Sequence, residues 1–110
     1  MNIMDYHTAG GKNLILEYID DLPKKEMFEG HRIRDEIETH GLKAFDRLNT
    51  RHLRGKLWEI KFSANRIMYV IQDDDNIYFL HICKKQKGKA EKFELDKAIK
   101  RAERFGLKVD

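Results

Sequence analysis

The sequence predicts an α+β domain in which an N-terminal helical hairpin and a C-terminal helix accompany an antiparallel sheet. Three observations point there. Apolar residues recur at helical spacing through the first forty residues, three short runs rich in β-branched and aromatic side chains lie between 57 and 83, and helical spacing returns from 90 to 105. A chain of 110 residues is of ordinary size for one domain with a modest core, so residues 1–110 are read as a single unit.

Taken in order, MNIMDYH has room for a short first strand, and Gly10 and Gly11 make TAGGKN a turn. Asn13 suits an N-cap, and Leu14, Ile15, Tyr18, Ile19 and Leu22 then form a helical stripe. Pro23 fits a helix start. Over KKEMFEGHRIRDEIETH the apolar positions Met27, Ile33 and Ile37 share a side, Gly30 weakens the interior and Gly41 is a natural stop. These two helices are expected to pack as a hairpin. LKAFDRLNTRHLRG reads as a connecting loop with one helical turn anchored by Leu42, Phe45 and Leu48. Strands are predicted at Leu57–Ser63, Arg66–Gln72 and Asn76–Cys83, with Asp73, Asp74, Asp75 and Asn76 supplying the turn between the last two. After a lysine-rich loop, AEKFELDKAIKRAERF forms the last helix, with Phe93, Ala98, Ala102 and Phe105 as core candidates.

Composition narrows the chemistry. One cysteine, Cys83, excludes an internal disulfide and a cysteine-rich metal site, and His7, His31, His40, His52 and His81 show no ligand spacing, so no metal or other cofactor is expected. The sequence has neither a basic-then-apolar leader nor a long apolar run, which predicts a cytoplasmic chain with no membrane role. Residues 1–50 hold 7 Lys/Arg against 10 Asp/Glu, whereas residues 51–110 hold 15 against 9. The second half is therefore the candidate surface for a polyanion, with a merely solvated basic surface as the plain alternative.

The run KLWEIKFSANRIMYVI sets two cations in the most apolar part of the chain. With Ala64 and Asn65 at the centre of a hairpin, Ser63 would face Arg66, Lys61 would face Met68 and Ile60 would face Tyr69. Trp58, Ile60, Phe62, Ile67, Tyr69 and Ile71 then share one face, which the helices cover, with Trp58 and Tyr69 in the core. Glu59, Lys61, Ser63, Arg66 and Met68 share the other, which is expected to be wet. Arg51, Arg54 and Lys56 lead into this sheet, and Lys84, Lys85, Lys87 and Lys89 leave it, so several cations can converge on phosphates. Glu59 reads as a general base or as an ion-pair partner of Lys61 or Arg66. His81 reads as an acid–base group or as a half-buried strand residue.

Leu57, Trp58, Glu59, Ile60 and Lys61, then Arg66 and Tyr69, then Leu80, His81, Lys84 and Lys85, then the helix from Glu91 to Phe105, together resemble the RelE superfamily of bacterial toxins, in particular its HigB-like, phage-derived branch. LILEYIDDLPKKEMFEGHRIRDEIETHG resembles the family's opening helical hairpin, so the likeness covers nearly the whole chain. It implies the toxin of a toxin–antitoxin pair, a ribosome-dependent endoribonuclease that cuts mRNA by attack of a 2′-hydroxyl on the adjacent phosphate. The implied partners are a helix-turn-helix antitoxin, mRNA and the ribosome. By the same resemblance Lys61, Arg66 and Lys85 are the catalytic candidates. Arg66 would stabilise transition-state charge, and the two lysines would position phosphate. Some superfamily members carry a tyrosine near the C-terminus; this chain has Phe93 and Phe105 there and no tyrosine after Tyr78.

Overall fold

A computed structural model describes residues 1–110. Strand β1 (Asn2–Asp5) leads to helices α1 (Leu14–Asp20) and α2 (Lys24–His40), then a 3₁₀ turn at Gly41–Asp46. Four strands follow, β2 (Thr50–Arg54), β3 (Leu57–Phe62), β4 (Asn65–Ile71) and β5 (Asn76–Lys84), and helix α3 (Lys89–Arg104) ends the order. The five strands form one sheet in the order β1-β5-β4-β3-β2, antiparallel except for the parallel pair β1–β5. The α+β architecture agrees with the sequence reading and is compatible with a RelE-like fold. Two features differ from it: β2 forms where a loop is expected, and β1 makes the sheet mixed.

Local chemistry explains the boundaries. The Asn13 side chain accepts from the backbone N–H groups of Ile15 and Leu16, capping α1. Gly41 ends α2 at φ +61, and the Asp73 carboxylate accepts from the Asp75 N–H and the Asn76 amide to hold the β4–β5 turn. Gly30 has a packing reason inside α2, because a Cβ there would lie 2.9 Å from Cγ2 of the fully buried Ile19.

The sheet is covered on both faces. Ile15, Ile19, Ile33, Ile37 and Ala44 pack on Ile60, Phe62, Ile67, Tyr69, Ile77 and Phe79. On the reverse face α3 lays Ala98 and Ala102 on Leu57, Met68, Val70, Leu80 and Cys83. Tyr69 is thus a core residue, as expected. Trp58 is not: it is 39% exposed. Phe93, another expected core residue, is 62% exposed on the outer side of α3.

The β3–β4 hairpin turns at Ser63 and Ala64, with Ser63 at φ +50, one residue earlier than expected. Lys61 stands opposite Arg66, Ile60 opposite Ile67 and Trp58 opposite Tyr69. This register differs from the expected one by two residues, so every side chain keeps its face while its partner changes.

Gly55, in the β2–β3 turn, has φ +53, and a Cβ there would sit 2.0 Å from the Val109 carbonyl oxygen. That oxygen accepts from the Lys56 N–H at 2.5 Å. Gly55→Ala is therefore expected to cost about 2 kcal/mol or more, through left-handed strain and loss of this hydrogen bond, read as a lower urea midpoint. An unchanged midpoint would mean that the C-terminal segment contributes nothing to stability.

Candidate functional site

At the hairpin end of the sheet a cleft of about 280 Å³ is lined by Asn49, Glu59, Lys61, Phe62, Ser63, Asn65, Arg66 and Lys85. The three catalytic candidates of the sequence reading, Lys61, Arg66 and Lys85, meet here. Lys61 and Arg66 are cross-strand partners, and Lys85 is held beside them because its N–H donates to the Ala64 carbonyl at 2.8 Å. Asn65 is fixed from behind, accepting from the Tyr18 hydroxyl and donating to Glu26, both at 2.7 Å.

Arg66 does not lie on a wet face. It is 1% exposed beneath α3, and its guanidinium reaches the Glu59 carboxylate through Nε at 3.2 Å and one terminal nitrogen at 2.5 Å. The same terminal nitrogen is 3.1 Å from Glu91 of α3. Arg51 joins the network, donating to Glu59 at 2.8 Å and Glu91 at 2.7 Å. Burial disfavours the Arg66 cation, yet the hydrogen bonds it donates to Glu59 and Glu91 outweigh this and raise its pKa. The hydrogen bonds of Arg51 and then Arg66 hold Glu91 below the ordinary carboxylate range.

Two arginines and two carboxylates thus neutralise one another. Lys61 and Lys85 have no carboxylate partner, whereas Arg51, Arg54 and Lys84 face Glu59, Asp110 and Glu26 respectively. One further donor is free: the second terminal nitrogen of Arg66 is buried and has no hydrogen-bond partner. A cleft lined by two ammonium groups without carboxylate partners, beside a buried arginine, is suited to an oxyanion.

The other sequence candidates scatter. Lys56 lies at the opposite end of β3, while Lys87 and Lys89 are exposed in and after the loop leading to α3. Glu59 is fully buried and accepts four hydrogen bonds from Arg51 and Arg66, the arrangement of an ion-pair anchor rather than of a free base. Asn49 and Glu91 were not singled out by the sequence reading. Asn49 carries no local signal, and Glu91 meets Arg66 only because α3 folds back over the sheet.

His81 lies outside the cleft, under α3. One ring nitrogen contacts Glu94, and the other accepts from Arg101 at 3.0 Å, since a guanidinium can only donate. The imidazole is therefore neutral with its proton on the Glu94 side. Cys83 joins these two residues, their donor atoms lying within 4.8 Å of one another. A metal there would need Nε2 deprotonated, which the Arg101 contact opposes, and a thiolate, whereas burial pushes the Cys83 thiol up to about 12.

Burial lowers the His81 pKa, and the positive charges of Arg101 and Lys97 add to this against the pull of Glu94. Burial alone would raise Glu94, but its hydrogen bond from His81 leads the effects that bring it net below its ordinary value. Both groups bind protons more readily when unfolded, so both contributions are present at neutral pH and fade on acidification. Stability is expected to fall as pH drops below about 6.5, at up to about 1.4 kcal/mol per pH unit for His81, with Glu94 adding below about 4.5. His81→Gln should flatten the first part of this profile in urea titrations. A flat profile in the parent chain would refute the neutral buried imidazole.

The fold and this cleft define a class: a small α+β protein with a recess lined by basic residues at one end of its sheet. A family model described as Phage derived protein Gp49-like (DUF891) matches residues 17–103. The chain belongs to that family, which is related to RelE-type toxins. No curated protein gives a significant match. No helix is long and apolar enough to cross a membrane.

Proposed function

We propose that the protein is the toxin of a toxin–antitoxin pair, a HigB-like endoribonuclease that cuts mRNA on the translating ribosome in the cytoplasm and thereby arrests growth. Its partner is a helix-turn-helix antitoxin. The observation that carries this reading is the meeting of Lys61, Arg66 and Lys85 in one cleft. Membership of a family related to RelE-type toxins supports it.

Transesterification by the 2′-hydroxyl crowds negative charge on a phosphorane-like centre. In this proposal the Arg66 nitrogen and the two ammonium groups stabilise that charge, and Glu59 keeps the guanidinium in place. The lysines also hold the phosphate so that the attacking 2′-oxygen lies in line with the departing 5′-oxygen: the O2′–P bond forms as the P–O5′ bond breaks, leaving a 2′,3′-cyclic phosphate and a 5′-hydroxyl, with water taking the proton from the first oxygen and returning one to the second. A second reading, a non-catalytic RNA- or partner-binding module of the same fold, draws on a specific observation: Glu59 is saturated and His81 lies elsewhere, so neither of these two candidate acid–base groups stands free in the cleft.

The deciding experiment is message cleavage in a reconstituted bacterial translation system, mapped by primer extension with and without ribosomes. Discrete cuts that require ribosomes support the enzyme. RNA binding without cuts under either condition supports the module and overturns catalysis.

A further inference from the structure

Arg66 lines the cleft, yet every hydrogen bond its guanidinium makes runs to Glu59 or Glu91. An anion in the cleft meets that group fully only when one carboxylate gives way, and the two are held very differently. Glu59 is fully buried in the middle of β3 and uses both oxygens on arginines. The Glu91 side chain is 35% exposed and uses one oxygen, which spans Arg51 at 2.7 Å and Arg66 at 3.1 Å. It stands in the first turn of α3, which starts from Gly88 at φ +62 with no side-chain cap. The first buried residue of that helix, Ala98, comes about two turns later. A second recess, of about 340 Å³, is lined among others by Arg51, Gly88, Glu91 and Lys92. Arg66 of the one recess is thus joined to Arg51 of the other through a single Glu91 oxygen.

We propose that Arg51 and Arg66 form an anion site for a phosphate oxyanion, that Glu91 is its resident internal occupant, and that the phosphate enters as Glu91 leaves. The inference rests on the reading of the adjoining cleft as a phosphate site. With Glu91 in place, two guanidinium groups face two carboxylates and the cluster is neutral. With it withdrawn, one positive charge is left over next to a cleft that also holds Lys61 and Lys85. The Arg51 side chain is 46% exposed, so an incoming oxygen has a path to the donor that Glu91 vacates. Phosphate presents several oxygens and can take over the contacts to both arginines. Glu91 turns outward to solvent from the open end of α3, whereas withdrawing Glu59 would strand charge inside the sheet. The two arginines keep the Glu91 carboxyl below its ordinary range, so at neutral pH it competes as a charged group. Its hold on them divides the intrinsic affinity of the site by the fraction of molecules in which it stands open.

The probe is pyrophosphate, titrated calorimetrically into the full chain. Glu91→Gln removes the competing charge and should bind it about tenfold or more tighter than the parent, as for a site closed in about nine molecules of ten. Glu103→Gln, exposed at the far end of α3, makes the same change in net charge and should stay within about twofold of the parent, because solvent screens it. In an Arg51→Gln background that urea titration shows to be folded, the gain from Glu91→Gln should largely vanish. A 2′-O-methyl RNA hexamer, which cannot be cleaved, separates the sources of phosphate. A gain for both probes assigns the site to a polynucleotide backbone, and a gain for pyrophosphate alone assigns it to free phosphate.

Equal gains in the Glu91 and Glu103 variants, or a Glu91→Gln gain that survives the loss of Arg51, would reduce the effect to net charge and overturn the site. Binding by Glu91→Gln no tighter than by the parent overturns it too. Ribosome-dependent cuts alongside either result leave the nuclease reading intact. Tighter binding by Glu91→Gln with messages left uncut keeps the anion site and removes the enzyme.

Discussion

Alanine at both Lys61 and Lys85 is expected to lower the rate of ribosome-dependent message cleavage by about 10²- to 10³-fold, with the urea midpoint within about 0.5 kcal/mol of the parent. The magnitude follows from the work these groups would do. They are the two cations of the cleft without a carboxylate partner, so their charge is available to a phosphate rather than spent on a neighbour. Stability should be spared because Lys85 is exposed, Lys61 is half-buried and neither completes a buried ion pair. Removal of Lys61 even relieves repulsion from Arg66 across the strands. The check is primer-extension band intensity against time, with urea titrations on the same preparations. Cleavage at parental rates in the folded double variant would remove the cleft from the chemistry.

Arg66→Ala should behave differently, as a folding variant before it is a catalytic one. Glu59 is fully buried and would keep only Arg51, and two of the hydrogen bonds it accepts would vanish. Breaking a buried pair from one side typically costs about 3–5 kcal/mol; the surviving Arg51 contact places this case near 3. In a chain of this length that is a loss of roughly 10–20 °C in Tm. Replacing Glu59 and Arg66 together by methionine removes both charges and should recover much of the loss without restoring activity. Calorimetry or urea unfolding measures both effects. A single Arg66→Ala variant as stable as the parent would mean that Glu59 does not depend on its partner.

Much of the frame was legible in the chain. Asn13, Gly41 and the Asp73–Asn76 turn act through their own neighbours, so their effect is local and visible in sequence. Face alternation was legible too, and it survived a register error because a slip of two residues preserves parity. What alternation cannot supply is the partner: Lys61 opposite Arg66 depends on where the turn closes, and closure at Ser63 uses a positive φ that serine rarely advertises. The covering of the second face does carry a signal in the sequence. IMYVI and IYFLHIC are apolar at successive positions, the mark of strands buried on both sides, and a wet face would have asked for alternation. β2 was hidden because TRHLR is polar and pairs on one side only. The exposure of Trp58 depends on which distant segments cover that part of the sheet, which no residue near Trp58 encodes.

The cross-strand pair Lys61–Arg66 has a consequence for how the molecule responds to its solvent. Two like charges face each other beside a third, Lys85, and only Arg66 is neutralised from within the protein. Whatever anion settles there relieves that repulsion and is thermodynamically linked to the folded state. Anion occupancy and conformational stability become one equilibrium at this end of the sheet, so the ionic make-up of the surroundings is expected to tune both together.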